Sequence, residues 1–211
     1  ITATVTVNSG FTGSSLTIDG SDLDMHPTTL TGGERLTANA SNNTALEAVT
    51  MLGGGFSDSL TGGAGADTLT GNGGADTLVG GAGNDIISGG AGADAITPGA
   101  GIDHASGGAG NDTFTVSTFT DFKTSGGAET LDGGAGTDTI TFSEGAALTL
   151  SAPEMEALVG IETLNASDDI GNFQTTITLG NGFFTSNGSS TITIDGNDTT
   201  NTAADHYIDL S

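Results

Sequence analysis

The chain has 211 residues, 37 of them glycine, and its 26 acidic side chains face only two basic ones, Arg35 and Lys123, for a formal net charge of −24. Such a balance excludes nucleic acid and anionic membrane surfaces as partners and favours cations. Cysteine is absent, which excludes disulfides and thiol chemistry, and no apolar run reaches the length of a membrane span, so no membrane insertion is expected.

The length fits one large domain or two small ones. Residues 1–52 are rich in Thr, Asn, Ser and Gly and read as a strand-rich flank. Strands are expected at 1–7 (ITATVTV), 15–19 (SLTID), 34–40 (ERLTANA) and 45–52 (ALEAVTML). No basic, apolar leader opens the chain and no export signal is evident before Ser211, so it reads as a segment of something longer.

Seven unbroken nine-residue repeats follow over 53–115: GGGFSDSLT, GGAGADTLT, GNGGADTLV, GGAGNDIIS, GGAGADAIT, PGAGIDHAS and GGAGNDTFT. The sixth position is always aspartate: Asp58, Asp67, Asp76, Asp85, Asp94, Asp103 and Asp112. The eighth is always apolar: Leu60, Leu69, Leu78, Ile87, Ile96, Ala105 and Phe114. One apolar position in nine cannot feed an amphipathic helix, which needs one every three or four residues. It can feed short strands that alternate with tight turns. Glycine at positions one, two and four is expected to supply positive φ and close approach of neighbouring coils. The strand centres on position eight, whose side chain points inward.

Two repeats make one coil, so residues eighteen apart stack. Asp58, Asp76, Asp94 and Asp112 then form one file, and Asp67, Asp85 and Asp103 a second. Carboxylates at the spacing of adjacent strands, roughly 5 Å, repel one another. A divalent cation between them reverses the sign, and a flexible cage of hard oxygens favours Ca²⁺ over Mg²⁺. The core is one side chain thick, so folding is expected to be linked to Ca²⁺ binding.

The register weakens over 116–123, where Asp121 keeps the spacing without a glycine pair before it. It resumes in TSGGAETLD (124–132), with Glu129 in place of aspartate, and GGAGTDTIT (133–141), with Asp138 and Ile140. Residues 142–211 read as a second strand-rich flank, with strands at 148–150, 161–166, 175–179 and 191–195. One short helix fits 151–160: Ser151 caps, Pro153 suits the first turn, Glu154 completes the capping pattern and Gly160 stops it.

The flanks echo each other. VTVNSGF (5–11) resembles ITLGNGF (177–183), and SSLTIDGSD (14–22) resembles SSTITIDGND (189–198), about 170–176 positions on. ERLTANAS (34–41) also resembles IETLNAS (161–167). The echoes fit a tandem array, with 142–211 holding the start of another unit, or a shared low-complexity composition. The matching loops at Asp19/Asp22 and Asp195/Asp198 read as ordinary Asp-Gly turns or as extra Ca²⁺ sites.

No catalytic constellation stands out. His26, His104 and His206 are scattered, Glu154 and Glu156 fall on the solvated face of the expected helix, and no nucleophile elbow or phosphate loop occurs. The chain is therefore not expected to be an enzyme.

The nonapeptides resemble those of the RTX family, the repeats-in-toxin proteins secreted by bacteria. The resemblance implies an all-β parallel β-roll over 53–141, interrupted near 116–123, between flanks 1–52 and 142–211. It implies several Ca²⁺ ions held by Asp58, Asp67, Asp76, Asp85, Asp94, Asp103, Asp112, Asp121 and Asp138, with backbone carbonyls of Gly62, Gly80, Gly89, Gly107 and Gly133. Phe56 at a glycine position, Pro98 for a first glycine and the small Ala105 beside His104 depart from the pattern, so sites touching 98–106 are expected to be weaker. In composition the chain is similar to RTX surface-layer proteins and giant adhesins. That likeness implies a structural module, outside the cell on the bacterial surface, that self-assembles once Ca²⁺ has folded it after one-step export. The alternative is the secretion and folding module of an enzyme or toxin whose catalytic domain lies elsewhere.

Overall fold

The computed structural model describes residues 35–41, 48–117, 129–142 and 158–165 with their side chains. It also describes the backbone of Ala166 and of the strands Leu16–Asp19, Thr29–Thr31, Thr149–Leu150, Thr175–Thr178, Thr193–Asp195 and His206–Asp209. All strand pairing in the described residues is parallel, as a coil that rises by one strand per turn requires.

The chain winds between two sheets. One has nine strands, in the order Leu16–Asp19, Leu36–Asn39, Ser59–Gly63, Thr77–Ala82, Ala95–Ala100, Thr113–Val116, Thr139–Phe142, Thr163–Ala166 and Thr193–Asp195. The other has seven: Thr29–Thr31, Thr50–Leu52, Thr68–Gly73, Ile86–Ala91, His104–Ala109, Thr130–Ala135 and Leu158–Val159. A separate three-stranded sheet joins Thr149–Leu150, Thr175–Thr178 and His206–Asp209. The pairing crosses from the repeats into both flanks without a break, through Ala38↔Leu60 at one end and Ile140↔Leu164 at the other.

Position eight is the core. Met51, Leu69, Ile87, Ala105, Leu131 and Leu158 stack in one sheet; Ala38, Leu60, Leu78, Ile96, Phe114, Ile140 and Leu164 stack in the other. All of them are buried. Each coil thus contributes one apolar side chain from each sheet.

Three expectations need correction. The strands are not short pieces centred on position eight: Ile86–Ala91 and its neighbours run for six residues, through the glycine pair. Positive φ belongs to positions two and four, as at Gly81 (117°) and Gly83 (121°), and not to position one, whose glycine serves close approach alone. The end of the expected helix is a strand: Leu158–Val159 pairs with Leu131 and Asp132, and residues 151–157 lie outside the described residues. Burying Leu158 under Leu131 extends an existing core, whereas one helical turn would stand on a costly nucleus. The strands near 15–19, 34–40, 45–52, 148–150, 161–166, 175–179 and 191–195 are present, although shorter, and 1–7 lies outside the described residues.

Candidate metal centre

Each aspartate sits where the turn re-enters the next strand, and the coil above and below fixes its carboxylate. The backbone N–H of Asp58 donates to Asp76 Oδ1 at 2.7 Å, and those of Asp67, Asp76, Asp85 and Asp94 donate to Asp85, Asp94, Asp103 and Asp112 Oδ1, each at 2.8 Å. The expected files therefore exist, with partners eighteen residues apart. From Asp112 the file steps twenty-six residues to Asp138, whose Oδ1 accepts the Asp112 N–H at 2.7 Å. That coil is eight residues longer than the regular one and contains the stretch of weak register.

Asp121 lies outside the described residues. The place eighteen residues beyond Asp103 that it would fill is taken by Glu129, because Thr130 pairs with His104 and its N–H donates to the Asp103 carbonyl. Glu129 is buried, like the aspartates.

One oxygen of each carboxylate is thus tied to the backbone. The other divides the file into two kinds. At the first coil, Asp58 Oδ2 accepts the Gly54 N–H at 2.6 Å and Asp67 Oδ2 the Gly63 N–H at 2.7 Å. From there on, Oδ2 of Asp76, Asp85, Asp94, Asp112 and Asp138 is buried with no hydrogen-bond donor among the described residues. Buried carboxylate oxygens demand a donor or a cation. Nine acidic side chains among the described residues are buried, and the whole sequence holds two basic ones, so side-chain ion pairs cannot meet that demand.

The position-one glycines show where these oxygens point. A Cβ on Gly80 would strike Asp85 Oδ2 and the Pro98 carbonyl oxygen, and one on Gly89 would strike Asp94 Oδ2 and the Gly107 carbonyl. The same pairs recur over Gly62 (Asp67 with Gly80 O) and Gly71 (Asp76 with Gly89 O). Each cradle, open only because glycine has no Cβ, gathers a carboxylate oxygen and a carbonyl oxygen from the next coil. No group of three or more His, Cys, Asp or Glu among the described residues could hold a metal by side chains alone. A mixed set of carboxylate and carbonyl oxygens is what remains, and such hard donors suit Ca²⁺.

Of the glycines expected to lend carbonyls, Gly80, Gly89 and Gly107 do stand over the cradle of the coil before. Gly62 and Gly133 instead form cradles, for Asp67 and Asp138. Pro98 keeps its carbonyl in place over Gly80, so the substitution preserves the oxygen while removing an N–H. Gly71, Pro98 and Gly160 supply equivalent carbonyls that the motif did not single out, and Glu162 holds a file position with no glycine signal to reveal it.

Burial pushes Asp85 up to about 7 and Asp76 and Asp138 up to about 6, with file neighbours adding repulsion. Burial likewise raises Asp67, Asp94 and Asp112.

Residues 52–87, 70–105, 88–122 and 123–146 match the RTX calcium-binding nonapeptide repeat in four copies, the first three overlapping. No curated protein and no solved structure matches the chain. Residues 52–146, a little under half of the chain, are therefore RTX repeats, and such repeats bind several Ca²⁺ ions. They form a structural rather than catalytic module and occur in secreted proteins. No helix among the described residues is long and apolar enough to cross a membrane.

Proposed function

We propose that the chain is a Ca²⁺-dependent extracellular structural module whose central roll, 53–141, is cemented by ions along its two files and whose flanks join copies at the bacterial surface. The ligands on this reading are the carboxylates of Asp58, Asp67, Asp76, Asp85, Asp94, Asp103, Asp112 and Asp138, with carbonyls of the position-one residues. Glu129 takes the place assigned to Asp121.

One observation carries the assembly. The echoed strands Leu16–Asp19 and Thr193–Asp195 are the two outermost strands of the nine-stranded sheet. Among the described residues, the same Thr-Ile-Asp sequence thus stands at both ends of that sheet. A parallel stack offers its end strands' backbone groups to any strand of matching register, and two ends built alike allow one copy to continue another. The test is electron microscopy at millimolar Ca²⁺ and in chelator. Filaments or sheets with Ca²⁺ only are expected. A strictly monomeric protein at high concentration would favour the alternative, a secretion module attached to an enzyme or toxin.

A further inference from the structure

We propose a further Ca²⁺ site beyond the last glycine-rich repeat, in which Glu162 closes the first file together with Asp138 and the carbonyl of Gly160. It rests on the reading of the files as Ca²⁺ sites given above. Glu162 belongs to a stretch, GIETLN (160–165), that has neither a glycine pair nor an aspartate.

The backbone nevertheless treats it as the next member. The Asp138 N–H donates to Glu162 Oε2 at 2.8 Å, as the Asp112 N–H does to Asp138 Oδ1 at 2.7 Å. The Thr163 N–H donates to the Asp138 carbonyl at 2.9 Å, as the Thr139 N–H does to the Asp112 carbonyl at 2.9 Å. The register Leu131↔Leu158 and Asp132↔Val159 brings Gly160 opposite Gly133. There the Gly160 carbonyl and Asp138 Oδ2 meet over Gly133, as the Gly107 carbonyl and Asp94 Oδ2 meet over Gly89.

Asp138 is fully buried and its Oδ2 has no donor among the described residues. The glycine turn that presents each aspartate is missing here, with Ala157 five residues before Glu162. Glutamate's extra methylene brings a carboxylate to the file from a backbone without that turn. An ion here neutralises the end of the file and ties 158–165, which has no nonapeptide, to the roll.

The full chain tests this by equilibrium dialysis with Ca²⁺ and far-ultraviolet circular dichroism on the same samples. Glu162→Gln keeps an amide oxygen for the Asp138 N–H but loses the charge. It should bind one ion fewer than the native chain and keep the β signal at saturating Ca²⁺. An unchanged ion count overturns the site. Asp85→Asn separates the two readings. If it lowers the count and Glu162→Gln does not, only the terminal site is lost; if neither does, the file reading itself fails. Should Glu162→Gln abolish the β signal, Glu162→Asp, which keeps the charge but is one methylene too short to reach the file, decides. A restored β signal with one ion fewer than the native chain supports the site, and a native ion count or a β signal that stays lost rejects it.

Discussion

Asp85 is held between the backbone N–H of Asp67, which it accepts, and the carboxylate of Asp103, which accepts its own N–H. Its carboxyl is pushed up to about 7 in the metal-free fold, against 3.8 for a free aspartate. A group whose pKa is raised by folding stabilises the fold fully below its unfolded value, and that contribution is lost as pH rises through the folded value. In chelator, β structure should therefore be strongest near pH 4 and fade through about pH 6 to 7, where Asp76, Asp138 and Asp85 ionise. Ca²⁺ replaces those protons, so adding it at pH 8 should restore the signal. Circular dichroism across pH in excess chelator is the measurement, and a signal independent of pH would refute the buried-carboxylate account. The glycines give a second contrast. Gly80→Ala drives a methyl into Asp85 Oδ2 and the Pro98 carbonyl, while nothing lies within 4 Å of a Cβ on Gly55. Overpacking of this kind costs about 1–3 kcal/mol, so Gly80→Ala should raise the Ca²⁺ midpoint and Gly55→Ala should leave it near the native value.

The strand Ile86–Ala91 shows the same logic one level up. Ile87 is 2% exposed and stacks between Leu69 and Ala105; Ile86 is 56% exposed and stands between Thr68 and His104 on the outer face. Ile87→Ala should cost about 2–5 kcal/mol and Ile86→Thr less than about 0.5 kcal/mol, read as shifts in thermal unfolding at fixed Ca²⁺. Comparable shifts for the two would mean that the alternation is wrong. This inward–outward pattern was readable because nine residues always return the same side chain to the same face, and so were the two aspartate files. The strand's extension through its glycines was not, since glycine carries no β preference to read. Nor was the step from Asp112 to Asp138, because residues between repeats leave no mark until a paired register counts them. Leu158–Val159 was hidden for a different reason: Ser151, Pro153 and Glu154 are good local helix-start signals, and the gain from continuing a buried core is non-local. Glu162 escaped because its role depends on position in the stack and not on any local motif.

At the scale of the molecule, charge and edges act against each other. A net charge of −24 keeps chains soluble and apart when no cation is bound, and it opposes compaction of each chain. The files concentrate that charge within the coil, so Ca²⁺ removes it where it is most costly. On the proposed reading, folding and loss of mutual repulsion occur together, and at millimolar Ca²⁺ the roll would present, among the described residues, two outermost strands of like sequence. Such ends are normally blocked by charge or proline. Leu16–Asp19 and Thr193–Asp195 contain neither proline nor a basic residue, and each carries one aspartate, at its last position. Copies joined end to end through the nine-stranded sheet would repeat every nine strand spacings, roughly 43 Å. Sedimentation should show a single slow species in chelator and large ones in millimolar Ca²⁺, with an axial repeat near that value in micrographs. A proline in place of Thr193 removes a ladder N–H from one end and should shorten the assemblies without changing the Ca²⁺ midpoint of the roll. If that variant assembles as the native chain does, the copies meet through some other surface.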